Sequence, residues 1–204
     1  MVRKARKQNK NNKSKATNST DVRNMVSVKP GVSRVMFTGS NPGRARVHGV
    51  FEITSGTAGN AALSYTGFNS WCSQARNILT PFNYFRVSDL VVTPMVGGGT
   101  SSDFTIVTNI SNSAYTVDTT ATNILNDDYA CMSTAALQPV LHPPRSYWRG
   151  GARTWFAASD ESSGIPNLLD RTAGYISYLG VSSTASIVVG WMHVDLEIEF
   201  HTLV

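Results

Sequence analysis

The stretch that most narrows the fold lies near the C-terminal end. Met192, Val194, Leu196, Ile198 and Phe200 alternate with Trp191, His193, Asp195, Glu197, Glu199 and His201. Successive side chains of an extended strand point to opposite faces, so apolar residues in one phase and acids in the other predict a strand with one buried face. Such one-sided strands belong to antiparallel sheets that pack on one side only. The rest of the chain must supply the neighbouring strands and the core.

A second run of this kind pairs Val47, Gly49, Phe51 and Ile53 with Arg46, His48, Val50 and Glu52, and residues 55–60 break it. Further strands are expected over 61–65, 84–92, at Phe104, Ile106, Thr108 and Ile110, and over 174–181, with Val26, Val28 and Val32 making one short edge strand. Within 84–92, Phe85 and Val87 share one phase and Leu90 and Val92 the other, and a bulge at Ser88 and Asp89 reconciles them. Residues 94–102, with Gly97, Gly98 and Gly99, read as a turn. One convincing helix is expected: Asn69 or Ser70 caps it, Trp71, Cys72, Ala75, Ile78 and Leu79 share a face, and Pro81 ends it. Residues 111–140 leave a long loop with a short helix and two weak strands both open. Ser146 to Ala157 gathers Tyr147, Trp148, Trp155 and Phe156 around Arg149 and Arg153, and residues 158–170 read as a loop. Seven or eight strands with long connections predict an all-β antiparallel sandwich, either a jelly roll or an immunoglobulin-like fold.

Charge divides the chain unevenly. Residues 1–34 hold ten of the eighteen Lys and Arg and one acid, Asp21, for a charge of +9, whereas residues 35–204 hold eight Arg against twelve acids, for −4. No lysine follows Lys29. Residues 1–15 carry Arg3, Lys4, Arg6, Lys7, Lys10, Lys13 and Lys15 among Asn, Gln and Ser, and cannot bury enough surface to offset conformational entropy. They are expected to be disordered until a partner orders them. One-ended basic charge is the usual form of a nucleic-acid-binding arm, and with Arg23 and Lys29 these nine residues are the candidate polyanion contacts. The domain division expected is a basic arm over 1–35 and a single folded domain over 36–204. No run approaches the roughly 18 apolar residues of a membrane span, and the N-terminus lacks the apolar core of a secretory signal.

Candidate chemistry elsewhere is thin. Gly97, Gly98, Gly99 and Thr100 lack the Gly-Lys-Ser/Thr that would make a phosphate cradle, and no Gly-x-Ser-x-Gly occurs. No nucleophile or acid–base constellation emerges, so an enzyme is not expected. Cys72, on the expected helix, and Cys131, in an expected loop, read as two buried thiols in a reducing compartment, and with four scattered histidines they fall short of a zinc set. His193 and His201 lie about 26 Å apart along one strand and cannot share a ligand; surface or interface positions suit the histidines. Asp127 with Asp128 and Asp160 with Glu161 are acid pairs in expected loops, either solvated or contributing oxygens to calcium between subunits. The four tryptophans fall in apolar or alternating patterns and read as core.

Three stretches carry a resemblance. Ser70-Trp-Cys-Ser-Gln-Ala-Arg-Asn-Ile leading to Tyr84-Phe-Arg-Val-Ser-Asp-Leu-Val-Val-Thr-Pro94, then Asp170-Arg-Thr-Ala-Gly-Tyr-Ile-Ser-Tyr178, then Gly190-Trp-Met-His-Val-Asp-Leu-Glu-Ile-Glu-Phe200 resemble the coat proteins of small icosahedral positive-strand RNA viruses, the sobemovirus and tombusvirus group. The resemblance covers the whole body. It implies an eight-stranded antiparallel jelly-roll shell domain with one or two short helices, an internal RNA-binding arm, and no protruding domain after the shell. It also implies self-assembly into an icosahedral T=3 shell, viral single-stranded RNA as partner, no membrane, and a place in the virion, with assembly in the host cytoplasm. Where such coats carry an Asp-x-x-Asp pair for interface calcium, this sequence has Asn109 and Asn112. Neutral amides hold calcium more weakly than carboxylates, so no cofactor is expected and a calcium lock is in doubt. From the residues alone, a cellular β-sandwich module binding carbohydrate or nucleic acid through a basic tail remains the rival.

Overall fold

The computed structural model describes residues 25–26, 32–38, 41–97, 103–112, 120–149, 155–159 and 171–201. Among the described residues, ten strands form two sheets. They are β1 (Met25–Val26), β2 (Val32–Thr38), β3 (Asn41–Thr54), β4 (Ala58–Ser64), β5 (Tyr84–Val96), β6 (Thr105–Ser111), β7 (Ala130–Thr134), β8 (Phe156–Ala157), β9 (Thr172–Val181) and β10 (Val188–His201). The six-stranded sheet runs β1-β2-β3-β10-β5-β8 and the four-stranded sheet β4-β9-β6-β7.

Among β3 to β10 the pairing is nested. The first strand pairs with the last, β3 with β10; then β4 with β9, β5 with β8, and β6 with β7, all antiparallel. Such a double ribbon, rolled so that its strands divide between two facing sheets, is a jelly roll. The immunoglobulin-like alternative is thereby set aside. The hairpin β1–β2 extends the larger sheet beyond β3.

The alternation in β10 explains its central place. Met192, Val194, Leu196, Ile198 and Phe200 are fully buried against the facing sheet, where they meet Ile106 and Ile176 in one core with Ile53, Leu63, Phe68, Phe85 and Leu90. Each such side chain contributes about 1.5–3 kcal/mol through burial. The phase change in β5 is a bulge: Val87 lies opposite Ile198 and Asp89 opposite Glu197, leaving Ser88 extra. Beyond it Leu90, Val92 and Val96 return to the core.

β5 continues through Pro94 to Val96, where a turn was expected. The ladder geometry explains the tolerance. Val92 N and O bond Leu141 on the side away from β10, and Pro94 shares that parity, so its missing N–H falls on the side with no ladder partner.

The expected single helix is two, α1 (Tyr65–Trp71) and α2 (Ser73–Leu79), interrupted at Cys72. The cap is Ser64 and not Asn69 or Ser70: its Oγ accepts from Gly67 N at 3.0 Å. A Cβ at Gly67 would sit 2.5 Å from the Ala62 carbonyl oxygen, which is why the first turn needs glycine there. Trp71 Nε1 donates to that same carbonyl at 3.1 Å, and the indole lies over Gly49 of β3. Residues 111–140 contain both a short helix, α3 (Ala121–Leu125), and the edge strand β7; α4 (Arg145–Arg149) follows. Cys131 lies in β7, not a loop, and is only partly buried; both cysteines are free thiols. No helix among the described residues is long and apolar enough to cross a membrane.

Candidate functional site: the outward face of the six-stranded sheet

The residues of β3, β10 and β5 that do not enter the core form one face. Their register sets them in five rows: Arg44–Glu199–Arg86, Arg46–Glu197–Asp89, His48–Asp195–Val91, Val50–His193–Thr93 and Glu52–Trp191–Met95. In three successive rows a cationic or titratable base on β3 meets an acid on β10. Opposite charges directly across antiparallel strands favour this register over its slips.

The first row is the most tightly built. Glu199 is completely buried, with Arg44 Nη2 2.7 Å from its Oε1 and Arg86 Nε donating to its Oε2 at 2.6 Å. Arg86 Nη2 also contacts Oε2. Burying a carboxylate is costly unless it is paired, and two guanidiniums supply that pairing with one positive charge to spare. The Arg86 guanidinium lies 4.5 Å over the Trp155 ring. Trp155 meets His201 edge-on at 4.3 Å between centroids, and His201 stacks on Tyr84 at 5.5 Å.

Further along, Ser88 Oγ donates to Glu197 Oε1 at 2.8 Å, so the bulge residue ties β5 to β10. Arg145 stands 3.8 Å from Glu197 and 4.0 Å from Asp89, and His142 Nε2 contacts Asp89 Oδ1 at 2.8 Å. In the next rows His48 Nδ1 lies 3.2 Å from Asp195 Oδ1, and the His48 and His193 rings are 5.5 Å apart. All four histidines, scattered in sequence, therefore converge on this face and its margin. Past them the face turns apolar, with Trp191 and Val50 nearly half exposed.

The candidate polyanion contacts Arg3, Lys4, Arg6, Lys7, Lys10, Lys13, Lys15, Arg23 and Lys29 lie outside the described residues, as does the Asp160 and Glu161 pair. Asp127 is described, and its carboxylate accepts from the Asn109 amide, whose residue is fully buried. Asn112 donates through Nδ2 to the Tyr147 carbonyl oxygen and through its backbone N to the Tyr147 hydroxyl, each at 3.0 Å. Both amides thus serve internal contacts. Burial pushes the Tyr147 hydroxyl above its ordinary pKa, a backbone hydrogen bond from Asn112 opposes this, and Asp127 and Asp128 add to the rise. No three or more His, Cys, Asp or Glu among the described residues are grouped to hold a metal ion.

The sequence pointed to the arm and not to Arg44, Arg46, Arg86 or Trp155. The signal available was the shared phase of Arg46 and His48 with the acids of the last strand; which strands pair was the missing fact.

No protein-family model matches the sequence, and no curated protein does. Solved structures do. A chain from Tobacco necrosis virus superposes with a TM-score of 0.65 at 11% identity, covering 89% of this chain and 91% of that one. One from Cocksfoot mottle virus gives 0.58 at 12%, covering 78% and 94%. A deletion mutant of the Penaeus vannamei nodavirus capsid protein, solved as a T=1 subviral particle, gives 0.57 at 9%, covering 77% and 97%. At these identities the likeness is one of fold: the chain has the jelly-roll fold found in the shells of tombusvirus-like, sobemovirus-like and nodavirus particles.

Proposed function

We propose that this chain is a viral coat protein whose jelly-roll domain, residues 36–204, assembles with copies of itself into a closed icosahedral shell, and whose basic arm, residues 1–35, packages single-stranded RNA. The observation that carries this reading is the joining of a shell-type jelly roll to a terminal segment of opposite charge. The nested eight-stranded body matches virus-particle chains over almost their whole length. The −4 body and the +9 arm then divide the work. Body meets body through apolar and polar contacts, and arms neutralise phosphates by displacing counterions.

A T=3 shell of this chain would have the following dimensions. A body of about 170 residues covers a disc of roughly 20 Å radius, and about 180 such discs tile a sphere on the order of 300 Å across. The same number of arms carries about 1,600 positive charges, a substantial share of the phosphates of a genome of a few kilobases. No base-specific contact is required, so packaging should be largely indifferent to sequence and sensitive to salt. Exposed Trp191 and Val50 on the sheet face, and Leu137 and Val140 beside the β5 edge, offer apolar centres for contacts between copies.

The test compares full-length protein with a variant beginning at Asp21, each purified as assembled material and assayed for its ratio of nucleic-acid to protein absorbance. Full-length particles should contain RNA, and the truncated protein should give empty, smaller or no shells. Equal RNA content in both would remove the arm from packaging.

A further inference from the structure

β4 is an outer strand of the four-stranded sheet, and part of its backbone is left without a ladder partner. The parity follows from the neighbouring strands. Ile110 N donates to Tyr129 O, so Ile110, Thr108 and Ile106 turn their backbone groups toward β7, and Asn109 and Val107 turn theirs toward β9. Ser177 and Leu179, opposite these, face β6, which leaves Ile176 and Tyr178 facing β4. On β4 the ladder therefore takes Gly59 and Ala61, while Ala58, Asn60 and Ala62 present their N–H and C=O outward. The Trp71 indole donates to the Ala62 carbonyl oxygen. Among the described residues, no backbone hydrogen bond reaches the N–H or C=O of Ala58 or Asn60 from that side. Open edges are usually guarded by charge or proline. Here residues 53–75 contain no Asp, Glu, Lys, Arg or Pro. β7, at the other side of the sheet, differs: Asp127 and Asp128 precede it, and its Thr134 exchanges backbone hydrogen bonds with Leu137.

We infer that β4 pairs with β4 of a second copy, antiparallel about a two-fold axis at Gly59, so that the four-stranded sheets of two copies join into one. The inference rests on the coat-protein reading and names one contact by which copies meet. Antiparallel pairing of an edge with its own duplicate is two-fold symmetric, and the outward groups fix the place of the axis. With Gly59 opposite Gly59, Ala58 of each copy lies opposite Asn60 of the other. Each such pair exchanges two hydrogen bonds, four in all. An axis at Asn60 would set Ala58 against Ala62, whose carbonyl already holds the Trp71 indole. Charge favours a second copy as the occupant. Side chains near a two-fold lie close to their own duplicates, so a charge there repels itself, and the uncharged run 53–75 includes β4 and α1, which packs against it. The same run offers the lysines of the basic arm no carboxylate. Four hydrogen bonds are few for a lone dimer and suit a contact repeated throughout a closed shell.

The experiment uses full-length protein. Proline at an outward-facing position removes a donor without touching the β9 ladder, as Pro94 does in β5. Ala58→Pro and Asn60→Pro each take two of the four hydrogen bonds from the axis. Either should raise the protein concentration needed for closed shells, read by sedimentation, by about tenfold. The thermal midpoint of the dissociated subunit should stay within about 2 °C of the parent. Two variants keep the test decisive if one of them folds poorly. Ala130→Pro, whose N–H faces away from β6 on the outer side of β7, should assemble like the parent. Electron cryo-microscopy of parent shells reads the contact directly, with two Gly59 Cα atoms about 4.5 Å apart across a two-fold. Shells in which another segment lies along β4, or shells formed equally well by both proline variants, would overturn the pairing and leave the coat reading intact. An equal loss of assembly in Ala130→Pro would overturn it too, because the effect would not belong to β4. A parent chain that forms neither shells nor two-fold pairs would bring down the coat reading together with the pairing.

Discussion

Glu199 shows how much one side chain can determine. It is fully buried on a nominally outward face, because Arg44 and Arg86 close over it from the strands on either side. Replacing it with Ala leaves two guanidiniums facing each other without a counter-charge, and denaturant unfolding of the dissociated subunit should show a loss of about 3 kcal/mol. A loss below 1 kcal/mol would mean that the pair does not hold the sheet. Cys131 gives a second reading at this scale. Burial pushes its thiol to about 11 from an ordinary 9.0, so the folded state binds the proton more tightly than the unfolded one. Stability should therefore be level below pH 9, fall between pH 9 and 11, and level again above. At pH 8 the thiolate fraction is smaller by about a hundredfold, and iodoacetamide should label Cys131 slower by that factor in folded than in unfolded protein. Equal rates by mass spectrometry would contradict the burial. Of these residues the sequence showed Glu199 only as one acid in an alternating row. Its burial depends on two arginines more than a hundred positions away, and nothing local marks them.

At the scale of elements, what was legible followed from local periodicity. β10 and much of β3 could be read because each has one buried and one open face, and period two survives in the sequence. The bulge at Ser88 was legible for the same reason, since a change of phase has few other causes. It is also testable. Ser88→Ala removes only the hydroxyl bonds to Glu197 and should cost about 1 kcal/mol. Deleting Ser88 joins Val87 to Asp89 in unbroken alternation, with Phe85 and Val87 still in the core phase and opposite the same partners on β10, so thermal unfolding should stay cooperative; loss of cooperative unfolding would show that Ser88 is not merely an extra residue in the ladder. The helix boundaries were misread because Trp71 to Leu79 is apolar at helical spacing on both sides of the break at Cys72. The cap at Ser64 was hidden by its position at the end of a strand. Pro94 misled because a proline ends a strand only where its missing donor would face a partner, and the side it faces is a tertiary property. The 111–140 region carries too few apolar residues for any period to show.

For the molecule as a whole, the order of strands was beyond local reading, since every pair in the nested roll except β6 with β7 joins residues far apart in the chain. Fold class came from the count of strands, and the choice of jelly roll from resemblance to coat proteins. The charge division between arm and body was fully visible, because charge needs no folding to be counted. Assembly predicts a role for the apolar end of the sheet face. Trp191→Glu should leave the unfolding of the dissociated subunit within about 0.5 kcal/mol of the parent, since the side chain is nearly half exposed, yet strongly reduce shell formation. Normal shells from this variant would place the contacts between copies elsewhere. The claim on which all of this depends is that the chain closes into shells around RNA. Sedimentation and negative-stain microscopy of purified full-length protein test it most directly: the account predicts closed particles on the order of 300 Å across that contain RNA, and a discrete monomer or small oligomer free of nucleic acid would contradict it.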